Sequence, residues 1–228
     1  MTAVRALASL LAAFLAFGSA HSWAAPFAVQ VGDVRLGMDA PPGFADTGFT
    51  GSPRLQELAE SLTSASNRIL MFALTDADLR RFMVGDQLEA KRYAIAVTPR
   101  GLERERITAR TFATFVSDSL REFGKPAPEG TADYRKYLDG FEGRPVMLAE
   151  LRKEPEVVSV LLGTRLPVVE GKSSDAPKYM LTTTTLILLR GKALNLSVYT
   201  AYENDLDVEW IRTVTARWID ELKHLNAR

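Results

Sequence analysis

The chain has no cysteine and only two histidines in 228 residues. Without cysteine there can be no disulfide, no thiolate ligand for zinc or an iron–sulfur cluster, and no thiol nucleophile. The lipid-modified cysteine of a bacterial lipoprotein is excluded as well. The histidines are His21 and His224, which rules out a histidine-rich metal site. No GxGxxG, P-loop or GxSxG pattern occurs. Neither sign of charge is in excess, with 28 basic and 28 acidic residues. This argues against nucleic acid as the main partner, since phosphate binding needs a basic surplus to displace counterions. It argues against tight docking on anionic lipid on the same ground. What remains is ordinary for a folded protein, at 46% hydrophobic and 25% charged residues.

Long apolar runs are also scarce, and the clearest lies at the start. Arg5 and the amino terminus form a short positive region. Ala6–Phe17 follows, apolar except for Ser9, and then the small residues Gly18-Ser19-Ala20 and Ser22-Trp23-Ala24. This is the pattern of an export signal. We expect a signal peptide over residues 1–24, cut after Ala24, with Ala20 as the alternative. Cleavage after Ala25 would leave Pro26 next to the cut. The apolar run is about 12–15 residues, short of the ~20 that a spanning helix needs, so a retained anchor is the weaker reading and no transmembrane segment is expected after cleavage. Losing residues 1–24 leaves 27 basic and 28 acidic residues and removes His21. An exported chain without disulfides fits the bacterial periplasm better than a eukaryotic secretory route. The sequon Asn195-Leu196-Ser197 then has no role.

Residues 25–228 are expected to form a single domain. Phe27–Val31 and Val34–Met38 alternate around Gly32-Asp33, which predicts a hairpin. Ala40-Pro41-Pro42-Gly43-Phe44 ends it, and loop residues follow to Gly51. Ser52-Pro53 opens a helix, with Leu55, Leu58, Leu62, Ala65 and Ile69 on one face. Strands are expected at Arg68–Leu74 and Lys91–Thr98, with a turn or short helix at Asp76–Gly85 between them. Thr108 caps a second helix whose stripe is Phe112, Phe115, Val116, Leu120 and Phe123, ended by Gly124 and Pro126. Residues 125–143 read as turn-rich. Pro145–Arg152 and Glu156–Thr164 read as strands.

Lys178–Tyr202 is the most apolar stretch beyond the N-terminus. Met180–Leu189 contains four threonines, too short and too polar for a membrane helix but suited to a strand. Arg190-Gly191-Lys192 breaks it, and Ala193–Tyr202 alternates, which predicts a central hairpin. The first strand is apolar on both faces near its end, as in a strand covered on both sides. Asn204–Asn226 closes as a helix with Ile211, Val214, Trp218, Leu222 and Leu225 on one face. Adjacent strands pair antiparallel and helices must cover a sheet face. The fold class is thus α+β: a central, mostly antiparallel sheet covered by helices, sandwich-like.

Candidate chemistry is sparse. A catalytic triad would have to use His224, near a helix end where a cation is favoured anyway. Asn204–Glu209 resembles a calcium loop superficially, yet it lacks the central glycine and has Thr215 where the twelfth-position glutamate belongs; helix capping explains it better. Asp76-Ala77-Asp78 reads as turn initiation. Two acids could form a glycosidase pair, but nothing selects two of the 28. Arg100, Arg104 and Arg106 alternate with Glu103 and Glu105, as in a solvated loop or a docking surface. Tyr134, Tyr137 and Phe141 are expected to pack under a long loop. No catalytic, cofactor-binding or metal-binding residue is assigned.

The hairpin, the Met38-Asp39-Ala40-Pro41-Pro42-Gly43-Phe44 exit, the helix after it and the closing helix bearing Trp218 together resemble the PsbP-like superfamily, which includes DcrB-type bacterial periplasmic proteins. Phe44 stands where that family usually has tryptophan. The resemblance implies an antiparallel sheet between helices and an accessory or binding role, and it carries over no site residue. The expected function is therefore a periplasmic accessory or binding protein without catalysis. Its partner would be another periplasmic or membrane-associated protein. A secreted hydrolase using a carboxylate pair is the alternative.

Overall fold

In the computed structural model, residues 26–131, 133–167 and 178–227 are described. The expected signal peptide and most of the 166–177 connection lie outside them. The hairpin forms as read: β1 (Phe27–Val31) pairs antiparallel with β2 (Val34–Met38). It stands as a separate two-stranded sheet.

Among the described residues the main sheet has seven strands. They are β3 (Phe44–Asp46), β4 (Asn67–Thr75), β5 (Arg92–Pro99), β6 (Val146–Glu154), β7 (Val157–Arg165), β8 (Tyr179–Leu189) and β9 (Lys192–Ala201). Their spatial order is β3-β4-β5-β9-β8-β7-β6, and every pairing is antiparallel. The helices are α1 (Pro53–Ser61), α2 (Asp76–Met83), α3 (Ala109–Leu120), α4 (Tyr134–Leu138) and α5 (Asp205–Leu225). The α+β class and the sandwich-like layering are as the pattern implied.

One face of the sheet is covered by α5 together with the β1–β2 hairpin. Ile211, Trp218 and Leu222 of α5 pack there with Leu36 and Met38 of the hairpin and with Leu181, Ile187 and Leu194 of the sheet. Two polar contacts lock hairpin to helix. Trp218 donates its indole N–H to the Asp39 carbonyl at 2.8 Å, and Asn226 exchanges hydrogen bonds with both main-chain groups of Gly37. The other face is shared. Leu55 of α1 and Leu79 of α2 cover Phe72, Leu74 and Ile95. Phe112 of α3 covers Leu186 and Leu188.

The β8–β9 hairpin lies at the centre. Leu186 and Ile187, adjacent in sequence and opposite in direction, are buried under α3 and α5 respectively. Lys192, the first residue of β9, is 1% exposed. Its ammonium donates to the Glu103 and Glu105 carbonyls, both at 3.0 Å, and pairs with Asp33 at 2.8 Å. Three donors meet three acceptors, which is what burying an ammonium requires. The charged 100–106 segment is thereby tied to the β1–β2 turn. Gly32 permits the approach: with φ at 57°, a Cβ there would stand 2.2 Å from the Glu103 carbonyl oxygen.

Three local expectations differ from what is found. The first helix stops at Ser61 and does not run on through Ala65 and Ile69. Thr63–Asn67 bond among themselves instead, Ser64 with Ser66 at 2.9 Å and the Asn67 amide with the Thr63 hydroxyl at 3.1 Å. Such residues compete with helical bonding. The stretch expected to be loop up to Gly51 contains β3, entered through a Pro41–Phe44 turn that needs the positive φ of Gly43. The turn-rich region holds α4, capped by the Asp133 carboxylate.

Candidate functional site beside an edge strand

β3 pairs with only the last three residues of β4: Phe44 with Thr75, Ala45 with Leu74 and Asp46 with Ala73. One residue further on, Thr47 donates its N–H and its hydroxyl to the Phe72 carbonyl, at 2.8 and 2.9 Å. The chain then leaves in a 3₁₀ turn over Gly48–Thr50 and rises into α1. Asn67–Met71 have β5 on one side and, among the described residues, no strand on the other. Those five residues offer about 17 Å of strand edge at ~3.4 Å per residue.

A groove of about 780 Å³ runs along this edge. Leu55, Gln56, Ala59 and Glu60 of α1 form one wall, and Leu70 and Met71 of β4 lie opposite. Its cations are engaged: Arg68 pairs with Glu103 at 3.4 Å, and Arg100 donates to the Ala65 carbonyl at 3.2 Å. At the other end lies Asp46. Burial raises its pKa, against the opposing effect of backbone N–H groups of Gly48, Phe72 and Thr47. Phe49, at the turn that borders the groove, is 71% exposed.

The opposite edge is different. β6 has bulges at Met147–Ala149 and Glu150–Arg152. Ala127 already donates to its Met147 carbonyl at 3.0 Å. Its distal half carries Glu150, Arg152, Lys153 and Glu154, and Arg152 and Lys223 converge on Glu154. Bulges and charge are the devices that protect a sheet edge from pairing; β4 has one irregularity, between Ile69 and Met71, and one charge, Arg68, against two bulges and four charges on β6.

The residues singled out in the sequence fall into structural positions. Asp207 accepts from the Glu203 and Asn204 N–H groups, and Asn204 accepts from Leu206, which is a helix cap rather than an ion loop. Asp207 also receives Arg92 at 2.9 Å, whose guanidinium lies 4.0 Å from the Trp210 ring centre. Asp78 lies in the first turn of α2, where its backbone N–H donates to the Thr75 hydroxyl that caps the helix. The small cavity between these groups, about 270 Å³, is lined by charges that are spoken for: Arg81 with Glu89, Lys91 with Glu203, Arg92 with Asp207. Tyr134, Tyr137 and Phe141 pack against the α5-side core. His224 is exposed in the last turn of α5, and His21 lies outside the described residues.

Among the described residues no three His, Asp or Glu gather as a metal site would require, and no helix is long and apolar enough to cross a membrane. The groove itself was not anticipated. Its signal was the Thr63-Ser64-Ala65-Ser66-Asn67 run, which stops α1 short and opens the space.

No protein-family model matches the chain, and no curated protein does. Among solved structures, the Ran-binding protein Mog1p of Saccharomyces cerevisiae is similar at 11% identity and a TM-score of 0.36, over 90% of this chain and 94% of that one. A point mutant of protein Mog1 gives 0.37 over the same shares. Similarity at that level is loose; the α+β class rests on this chain's own strand pairing.

Proposed function

We propose that this protein is an exported periplasmic binding or accessory protein without catalytic activity, and that it holds an extended polypeptide along β4. The half-paired edge at Asn67–Met71, set in a groove, is the observation that carries this reading. An extended chain is the ligand that satisfies a row of main-chain donors and acceptors, with side-chain pockets adding selectivity. A second copy of the same edge is disfavoured, because α1 and the Gly48–Thr50 turn flank it and would meet their own counterparts. The partner is another periplasmic or membrane-associated protein that supplies an unfolded segment. Export is supported by the residue 1–24 pattern, and kinship with PsbP-like proteins by the order of elements.

Two experiments test this. Short random peptides displayed on phage are selected on the purified protein, and the strongest binder is titrated against wild type and Gln56→Trp. Gln56 is exposed on the groove wall, so the indole fills the groove without entering the core. Loss of binding in Gln56→Trp, with an unchanged melting temperature, is the expected result. Equal binding to both proteins refutes the site. The mass of the chain recovered from a bacterial periplasm should correspond to a start at Ala25 or His21; a start at Met1 or Thr2 refutes cleavage.

A further inference from the structure

A separate cavity of about 340 Å³ opens between α5 and the β6–β7 end of the sheet, far along the strand order from the β4 groove. Two buried hydroxyls line it, Ser159 on β7 and Thr215 on α5. Each shares a 2.7 Å hydrogen bond with a β8 threonine, Ser159 with Thr185 and Thr215 with Thr183. Two hydroxyls sharing one bond use one O–H and keep the other, so each pair has a donor to spare. Arg212, three residues before Thr215 on α5, reaches the same cavity. Its Nε is shielded from solvent and has no hydrogen-bond partner among the described residues. Another nitrogen of the same guanidinium, Nη1, pairs loosely with the exposed Glu209 at 3.8 Å. Arg152, also in the lining, is by contrast occupied by Glu154 and Asp220, at 2.5 and 2.7 Å. Glu150 is held by Lys153 at 3.2 Å. The rest of the wall is apolar: Leu151, Ala216 and Ile219.

We propose that this cavity binds a small aliphatic carboxylate. Its head accepts from Arg212 Nε and from the hydroxyl pairs of Thr215 and Ser159. Its hydrocarbon part lies on Leu151, Ala216 and Ile219. A guanidinium favours a planar oxyanion, which it can meet with two parallel bonds. The apolar wall favours a ligand with a hydrocarbon body over a wholly polar ion, as in most small-molecule sites.

Titration calorimetry with sodium butyrate tests the assignment on the purified protein. Wild type should bind saturably, with a dissociation constant of about 1 mM. Arg212→Gln should weaken binding at least about tenfold, the loss of one charge-assisted contact. Arg217→Gln, exposed on the same helix outside the cavity, should leave it unchanged. Inorganic phosphate and butylamine should not compete. In wild type, the backbone amide resonances of Ser159 and Thr215 should shift with butyrate, a readout independent of how the variants fold. The proposal is overturned by unsaturable butyrate heats, by shifts confined elsewhere, by full binding in Arg212→Gln, or by phosphate or butylamine binding as tightly as butyrate.

Discussion

β8 and β4 are both strongly apolar strands, and the protein uses them in opposite ways. β8 has a strand partner on each side over most of its eleven residues, and a helix over each face near its end. β4 is buried on both faces as well, under α1 and α2 on one side and in the α5-side core on the other. Yet over Asn67–Met71 its main chain has, among the described residues, one strand neighbour instead of two. Side-chain burial and main-chain pairing are thus separate properties. The first gives stability, and the second decides which backbone groups remain free to bind.

The largest effect should come from placing the same charge in both strands. Ile187→Asp puts a carboxylate at a fully buried position, costing about 4–5 kcal/mol or more. Circular dichroism should show no cooperative thermal transition. Ile69→Asp, half-buried beside the groove, should cost only about 1–2 kcal/mol. Equal losses would erase the contrast. Next in size is Lys192→Met, which leaves the Glu103 and Glu105 carbonyls and Asp33 without their donor. We expect about 2–3 kcal/mol from denaturant unfolding, with proteolysis appearing first between Gly101 and Arg106. A stability unchanged from wild type would mean that the ammonium does not hold that loop. Gln56→Trp should change stability by less than about 0.5 kcal/mol while removing peptide binding.

Asp46→Asn should give the smallest effect, and one that depends on pH. Burial raises the Asp46 pKa in the folded state. The folded form therefore holds its proton more tightly than the unfolded chain, whose value is about 3.9. Stability present below that value is lost as pH rises through the raised folded value. At neutral pH the asparagine variant should melt slightly higher than wild type, and the gap should close as pH falls below about 4. A gap that persists in acid would assign the effect to something other than this carboxyl.

The sequence carried most of the fold because its elements announce themselves. The Leu194, Leu196 and Val198 alternation, the Thr108 cap and the α5 stripe each depend on neighbours close in sequence. The candidate site was less legible. Its wall and its edge are joined by Thr63–Asn67, where the leucine stripe of α1 continues on paper to Ile69 while the chain has already left the helix. How much of β4 is paired depends on where β3 ends, and the three residues of β3 are too few for a periodic pattern. In the sequence Lys192 reads as part of the Arg190-Gly191-Lys192 break, with nothing to mark it as buried. Its burial depends on Glu103, Glu105 and Asp33, all at least 87 residues away in sequence.

Amide hydrogen exchange across β4 and β6, measured with and without the selected peptide, tests strand addition most directly. Bound peptide should slow exchange within Asn67–Met71 and leave Val146–Glu154 unchanged. A peptide that binds at saturation while exchange in Asn67–Met71 stays as fast as in the free protein contradicts it.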